Sequence, residues 1–288
     1  MKKSTKKSDF IITMLLVLVL VTGLSLLLYP SFSNAWNQMH QTHAIEGYAQ
    51  QVSAMDAEAY EKIWQAAIDY NKSLVGKGEF CSLSEEERAL YEKQLLVGGG
   101  QIMGYVEIPE IGVELPIYHG TDETVLQVAI GHLDWTSLPT GGESTHCVVS
   151  GHRGLPSARL FTDLDKLTVG DLFMLHVLEE TLTYEVDQIR IVEPHIIEDL
   201  TIELGKDLCT LLTCTPYGIN SHRLLVRGHR VENLAQAVNV RVTADAVVVE
   251  KLVVAPFVLM PILLVMLLWL FVSSGKKRKK HRRRPSSE

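Results

Sequence analysis

Apolar residues are concentrated in two uninterrupted blocks, one near each end of the 288-residue chain. The first block, residues 10–29, has 20 residues without a charge, and the second, residues 252–272, has 21. At about 1.5 Å per helical residue, each block is long enough to cross the hydrocarbon layer of a bilayer. We therefore predict two transmembrane helices that flank a central body, and we exclude a freely soluble protein.

Basic residues flank each apolar block on its terminal side. Residues 1–9 contain four lysines against one aspartate, and residues 274–288 contain eight Lys or Arg against one glutamate. Short basic flanks stay on the cytoplasmic side of a membrane. Both termini are thus predicted to be cytoplasmic and the body to be extracellular. A basic run such as the tail also occurs in nucleic-acid-binding proteins, but its position directly after a span favours the membrane flank.

The first apolar block has a second interpretation, as a signal peptide that is cleaved. The small residues Ser-Asn-Ala at 33–35 follow the block and have the form of a cleavage site. A signal-peptide core has roughly 7–15 apolar residues, whereas this block has 20. The length favours a retained anchor, with cleavage as the alternative.

The net charge of −7 conceals a strongly acidic body. Between the two basic ends, 15 basic residues stand against 32 acidic ones, which is a net charge of −17. Such a body repels the phosphates of nucleic acid, so we expect no nucleic-acid partner. The four cysteines are too few for a disulfide framework and include no Cys-x-x-Cys pair, so we expect no metal site and no other cofactor.

Helical periodicity dominates residues 33–100. Apolar residues recur at three- and four-residue steps and no proline interrupts them, which predicts one amphipathic helix from Ser33 to about Asn71. The glycine-containing residues 76–78 break this helix. Ser84, with Glu87 three residues later, has the form of a capping box that opens a further short helix. We interpret the region as a helical arm that leads away from the membrane.

From residue 101 to residue 250 the apolar pattern changes to alternation. Val106 and Ile108 are separated by a turn from the next alternating run, which predicts a strand pair. Further candidate strands have the same alternating or continuous apolar character: residues 147–150, 172–178, 184–192, 208–213 and 224–230. Several short strands without a regular βαβ rhythm predict a mainly β domain, built as an antiparallel barrel with short helices.

One cysteine lies where a predicted strand meets a loop. The strand ends at Cys214, Pro216 and Gly218 turn the chain out of the sheet, and the next strand begins at Arg223. If the two runs pair, Arg223 lies across from Cys214. A cysteine in this place is exposed enough to react, while the sheet holds its backbone.

A second predicted strand ends in Gly-His at His152 and continues into a loop through Gly154 and Pro156. A histidine in such a loop can act as a general acid or base. From spacing alone, however, a strand cysteine is more often core filling and a loop histidine more often ordinary surface. Both interpretations stay open for Cys214 and His152 at this point.

These two segments resemble the sortases. The resemblance lies in the Thr-Leu-x-Thr-Cys run that ends at Cys214, in Arg223 nine residues later, and in Ser-Gly-His-Arg-Gly-Leu-Pro around His152. The run Thr-Pro-Tyr-Gly-Ile-Asn-x-His-Arg-Leu-Leu-Val-Arg-Gly and the two-span layout are similar to class C, the pilin-polymerising members from Gram-positive bacteria. The resemblance covers residues 104–230. It implies an eight-stranded sortase-type β-barrel, with Cys214 as nucleophile, His152 as general acid/base and Arg223 as stabiliser.

The resemblance also implies a substrate. Class C sortases cleave a Leu-Pro-x-Thr-Gly-type sorting signal after Thr through a thioester, and pass the acyl group to a lysine amine of another pilin subunit. One alternative is a sortase that attaches surface proteins to cell-wall peptide amines. An alternative of another class is a non-catalytic membrane-anchored β-barrel receptor, in which the cysteine and the histidine only fill space.

Class C sortases commonly carry a lid with an Asp-Pro-aromatic motif, and this chain departs from that motif. Its residues 79–83 offer Glu79 and Phe80 without the proline. By analogy, Glu79 is expected to pair with Arg223 and Phe80 to shield Cys214. The alternative is an ordinary loop whose phenylalanine packs on the barrel.

Three further residues are candidates for the border of the substrate groove. They are Trp135, which precedes the segment around His152, and Leu155 and Pro156, which end that segment. Each of them also fits a plain packing role.

Overall fold

The structure is a computed structural model that describes residues 4–77 and 82–233, with side chains from residue 14 onward. The predictions for residues 252–272, for residues 274–288 and for Glu79 and Phe80 lie outside the described residues. The described residues fall into two compact units, one that ends at Ser31 and one that begins with residue 32.

Helix α1 runs from Ser4 to Ser53 and contains the first predicted span. Within the described residues, the part of α1 from Met14 onward is long and apolar enough to cross a membrane. Side chains such as Leu18 and Leu26 are mostly exposed, although water is an unfavourable environment for a continuous apolar surface. This exposed apolar helix fits the membrane anchor that the sequence predicts.

The arm consists of two helices, so the prediction of one continuous helix is wrong. Helix α1 ends at Ser53, and helix α2 extends from Ala57 to Leu74. Asp56 caps α2, because its carboxylate accepts a hydrogen bond of 2.7 Å from the backbone N–H of Ala59. Apolar spacing did not reveal the break, because the three- and four-residue steps continue across it. The break arises from the capping side chain, which starts a new helix.

One face of α1 is hydrogen-bonded to the barrel by amide side chains. The Asn37 amide donates to the carbonyl of Ser157 at 2.8 Å, and the Asn34 carbonyl accepts from the backbone N–H of Arg159 at 2.9 Å. One helical turn further on, Gln41 donates to the carbonyl of Val128 at 2.6 Å. The arm is thus tied to two separate loops of the barrel.

Helix α3, Glu85–Tyr91, begins at the predicted capping box. The backbone N–H of Glu87 donates to the Ser84 hydroxyl at 3.2 Å, and the Glu87 carboxylate accepts from the backbone N–H of Ser84 at 3.1 Å. At the other end of α3, the Tyr91 side chain is buried, and its hydroxyl lies 3.0 Å from Nδ1 of His132. This contact fixes α3 against the barrel.

Eight strands of the described residues form a closed barrel, as the fold prediction required. They are β1 Ile102–Ile108, β2 Val113–His119, β3 Ile130–His132, β4 Thr145–Ser150, β5 Leu172–Val177, β6 Glu180–Val192, β7 Asp207–Thr215 and β8 His222–Arg230. Their order around the barrel is β1-β2-β3-β4-β7-β8-β6-β5. Closure leaves no long unpaired strand edge. A short helix, α4, spans Glu123–Leu126 between β2 and β3.

Two of the barrel's ladders are parallel, so the prediction of an antiparallel barrel is wrong in this respect. β2 pairs with β3 in parallel, and so does β4 with β7. Parallel neighbours need a long crossover. The segment that contains α4 connects β2 to β3, and the segment that contains β5 and β6 connects β4 to β7. Strand β3 was missed altogether because three residues are too few to show an alternating period.

The interior of the barrel is filled by apolar side chains from the strands. Fully buried members of this core are Val106, Ile117, Val149, Phe173, Leu175, Leu211 and Val226. These residues come from six different strands. Packing of the core therefore also holds the paired strands together.

Gly131 on β3 lies where another backbone segment comes very close. A Cβ atom at this position would lie 2.0 Å from the Gly120 carbonyl oxygen and 3.2 Å from Cα of Thr121. Because backbone would have to move, we expect Gly131→Ala to lower the free energy of unfolding by about 1–3 kcal/mol. Gly47→Ala is the control, since a Cβ there meets no atom within 4 Å and alanine favours the helix.

Denaturant unfolding of both variants in detergent measures the difference. An unfolding midpoint of Gly131→Ala equal to that of the unsubstituted chain would contradict the close approach of β3 to the Gly120 loop.

Candidate active site

The ends of β4, β7 and β8 line one cavity of about 380 Å³. Cys214, His152 and Arg223 all contribute to its lining. Most of the remaining lining is apolar: Leu126, Leu133, Trp135, Val192, Pro194, Ile196, Ile197, Leu200, Leu212 and Leu225. The structure therefore brings together the three side chains that the sequence singles out, in a mainly apolar cleft.

Arg223 lies directly across from Cys214 in the antiparallel ladder of β7 and β8. Residues that face each other in such a ladder have their Cβ atoms about 4.5–5.5 Å apart on the same face of the sheet. The two runs thus pair as the sequence pattern predicts. Arg223 thus brings a permanent positive charge into the cavity that Cys214 lines.

His152 reaches the same point through the parallel ladder of β4 and β7. Just beyond the end of β4, the backbone N–H of Gly151 donates to the Leu212 carbonyl at 3.0 Å. The Thr213 hydroxyl then donates to the Gly151 carbonyl at 2.7 Å. These bonds hold the chain beside β7 as far as Gly151. The next residue, His152, therefore enters the cleft level with Cys214.

The guanidinium of Arg223 is bonded to neutral acceptors in the described part of the chain. Its Nη1 donates to the carbonyls of His222 at 3.2 Å and Asn220 at 3.4 Å. These contacts orient the side chain without neutralising its charge. An anion in the cleft would therefore find a strong hydrogen-bond donor.

Among the three described free cysteines, Cys214 alone is partly exposed. Cys147 and Cys209 face each other in the ladder of β4 and β7, and each exposes 1% or less of its surface. Burial raises the pKa of the Cys209 thiol well above its ordinary value. A substrate can reach neither of these two buried thiols, so Cys214 is the candidate nucleophile.

A carboxylate that the sequence analysis did not single out lies beside the histidine. Oε2 of Glu123 on α4 is 3.5 Å from Nε2 of His152. The Gln127 amide donates to the other oxygen of this carboxylate. The hydrogen bond from Gln127, and after it the interaction with His152, holds the pKa of Glu123 below its usual value. No local pattern joins residues 123 and 152, because the pairing depends on how α4 packs.

The predicted groove residues are divided by the structure. Trp135 lines the cavity, whereas Leu155 packs against the barrel core and Pro156 is exposed; neither of these two is part of the cavity lining. The loop after His152 folds back on itself, because the backbone N–H of Phe161 donates to the His152 carbonyl at 3.2 Å. This closure directs the segment away from the cleft.

The connection between β6 and β7, residues 193–206, supplies a wall that the sequence analysis missed. A second cavity of about 330 Å³ shares Trp135, Ile197 and Leu200 with the first and extends along this connection to Leu204. The two cavities therefore adjoin each other at these three side chains. The signal in the sequence was a cluster of apolar residues inside a loop.

Comparisons with known proteins agree with this geometry. Residues 106–231 match the sortase domain family. Sortase C1 of Streptococcus agalactiae is similar in structure with a TM-score of 0.65 and 54% identity, over 67% of this chain and 100% of that chain. Sortase C of Streptococcus pneumoniae is 47% identical with a TM-score of 0.60, over 66% of this chain and 97% of that one.

Curated relatives are more distant. Sortase D of Bacillus subtilis is 33% identical over 135 residues, which are 46% of this chain and 65% of that protein. Sortase A of Streptococcus agalactiae is 27% identical over 210 residues, which are 72% of this chain and 79% of that protein. This chain therefore spans about two thirds to four fifths of the length of these relatives.

Proposed function

Because this chain belongs to the sortase family of cysteine transpeptidases and matches solved class C enzymes, we propose that it polymerises pilins. In this proposal it cleaves a Leu-Pro-x-Thr-Gly-type sorting signal between Thr and Gly. It then joins the new acyl group to a lysine amine of another pilin subunit. The observation that carries the proposal is the meeting of Cys214, His152 and Arg223 in one cleft.

The proposed reaction has two steps through a covalent intermediate. The Cys214 thiolate attacks the threonine carbonyl carbon, and the imidazolium of His152 gives its proton to the departing glycine amine. The acyl group is then carried as a thioester. In the second step the lysine amine attacks the thioester, His152 takes the proton from the amine, and the thiolate leaves.

Arg223 has two tasks in this reaction. In unstructured peptides cysteine titrates near pH 8.5 and histidine near pH 6.5, so only about one per cent of such a pair is thiolate plus imidazolium. A guanidinium across the ladder favours the thiolate. In each step it also donates hydrogen bonds to the oxyanion that develops on the carbonyl oxygen.

The two adjoining cavities together suit an extended peptide. Trp135, Ile197 and Leu200 offer apolar walls on which the leucine and proline of a sorting signal can be buried. The Glu79 and Phe80 lid remains part of the proposal on the strength of the sequence alone.

In the same proposal the protein is anchored in the cell membrane with its barrel outside. The apolar part of α1 supports one anchor, and the basic flanks of the chain support cytoplasmic termini. The second anchor rests on the sequence of residues 252–272. An enzyme held in the membrane meets membrane-held substrates at a raised effective concentration.

The test is mass analysis of the products that the full chain in detergent forms from a Leu-Pro-x-Thr-Gly peptide and a purified pilin subunit. We expect release of the glycine fragment and a pilin whose mass has increased by the acyl part of the peptide. Cys214→Ala is the control and should form neither product.

Two other outcomes contradict the proposal in different ways. A product formed on a cell-wall peptide amine and not on the pilin would assign the chain to cell-wall attachment. Binding of the peptide without release of the glycine fragment would indicate the receptor.

A further inference from the structure

We propose that Glu123 is a positioning residue, which orients the imidazole of His152 and favours its protonated form. The inference rests on the proposed function, in which an imidazolium must stand beside a thiolate. It adds a side chain that contacts His152 from beside the cleft, on an element that carries none of the other three residues.

The geometry gives Glu123 a defined position. Its Oε2 lies 3.5 Å from Nε2 of His152, while its other oxygen accepts a hydrogen bond from Gln127 one turn along the chain. The loop after α4 is held in turn by Gln41 of the arm, which donates to the Val128 carbonyl at 2.6 Å. The carboxylate is therefore held in place although 69% of its side chain is exposed.

A carboxylate beside one ring nitrogen acts on both the orientation and the charge of the ring. It favours a proton on the nitrogen that faces it, here Nε2, so that Nδ1 is the nitrogen left to exchange protons with the reactants. It also attracts the ring more strongly when both nitrogens are protonated. A glutamate is ionised at neutral pH, and the lowered pKa of Glu123 agrees with this.

Other charged and titratable groups near the ring do not duplicate this role. Cys214 and Arg223 line the same cleft, and neither is a carboxylate. Arg153, the next residue in the chain, is paired with Asp165 and donates to the Thr215 hydroxyl. Within the described residues, Glu123 is the carboxylate at ion-pair distance from His152.

The proposal has a specific signature in the pH dependence of kcat/KM. When most of the enzyme holds a neutral thiol beside a neutral imidazole, the plateau of the profile is proportional to the fraction that is thiolate plus imidazolium. Removing the carboxylate lowers this fraction and therefore the plateau. The acid limb, which is the low-pH side of the profile, moves to lower pH by the logarithm of the same factor. At pH values below the limb the ring is protonated in both enzymes, so their rates converge.

The expected size follows from two groups 3.5 Å apart, of which the carboxylate is largely exposed and therefore well screened by solvent. We expect the acid limb of Glu123→Gln to move about 0.5 pH unit lower and the plateau to fall about threefold. A loss of folded enzyme, by contrast, would scale the whole profile down equally.

The experiment uses the full chain in detergent at pH 5–9, with cleavage of a Leu-Pro-x-Thr-Gly peptide as the activity. The rate at which iodoacetamide alkylates Cys214 is followed in parallel, because it reports the thiolate without requiring turnover. Glu143→Gln is the matched control, since this exposed carboxylate precedes β4 at the end opposite to His152. We expect the shift in both profiles for Glu123→Gln and in neither for Glu143→Gln.

An acid limb that stays in place for Glu123→Gln overturns the inference, with or without a fall in the plateau. An equal shift for Glu143→Gln overturns it as well, because the effect would then come from overall charge. If the unsubstituted chain cleaves no peptide, the proposed function fails, whereas the alkylation profile still tests the pair.

Discussion

Replacing Cys214 with alanine is expected to abolish peptide cleavage and transfer while the barrel stays folded. Within the described residues no other cysteine lines the cleft, so the variant loses the thiol on which the proposed thioester forms. We expect the rate to fall by at least about 10⁴-fold, as it does when the nucleophile of a comparable triad is removed. Peptide cleavage and intact-mass detection of the acyl-enzyme measure the loss.

Cys209→Ala is the matched control for this substitution. Its thiol is buried in the barrel, so the variant loses packing and is expected to unfold more easily by about 1 kcal/mol. It should nevertheless still form the acyl-enzyme. Turnover at the unsubstituted rate in Cys214→Ala would exclude the proposed mechanism, whatever the result for Cys209→Ala.

Arg223→Lys is expected to leave the fold intact and to lower kcat/KM by about 10²–10³-fold. Lysine keeps the positive charge, but it lacks the planar fork of donors that can reach a thiolate and an oxyanion at once. The magnitude is that of losing one oxyanion donor from a preorganised site. Peptide-cleavage kinetics, with circular dichroism as the check on folding, measure the effect.

Arg230→Lys makes the same chemical change on the same strand, far from the cleft. Arg230 lies at the end of β8 over the ring of Tyr184, with 5.8 Å between the guanidinium carbon and the ring centroid. We expect kcat/KM to stay within about twofold for this control. Equal losses in the two variants would show that Arg223 acts through the stability of β8 and not on the reaction.

Local sequence pattern predicted those parts of the fold that depend on neighbouring residues. Alternation located seven of the eight described strands, and the short loop between β7 and β8 was enough to predict that Arg223 faces Cys214. The break at Asp56 was missed because a single capping side chain causes it. The parallel ladders were missed because their partners are distant along the chain.

The site required more than local pattern. His152 meets Cys214 only because β4 and β7 are parallel neighbours, and no periodicity within either strand contains that information. The resemblance to a family supplied this pairing. Glu123 had no such support, since it lies on a helix of four residues whose packing against His152 is a tertiary contact. For the same reason, Leu155 and Pro156 were expected at the groove although their loop folds away from it.

In the proposed function, the parallel ladder of β4 and β7 separates the chemistry from substrate selection. It places His152 in the same cleft as Cys214, whereas the loop that joins β6 to β7 belongs to no strand and lines part of both cavities. That loop can therefore acquire insertions, deletions or new side chains while the strands that place the proposed base and nucleophile stay unchanged. Such a division lets relatives diverge in the signals they recognise while the same acyl chemistry is inherited unchanged.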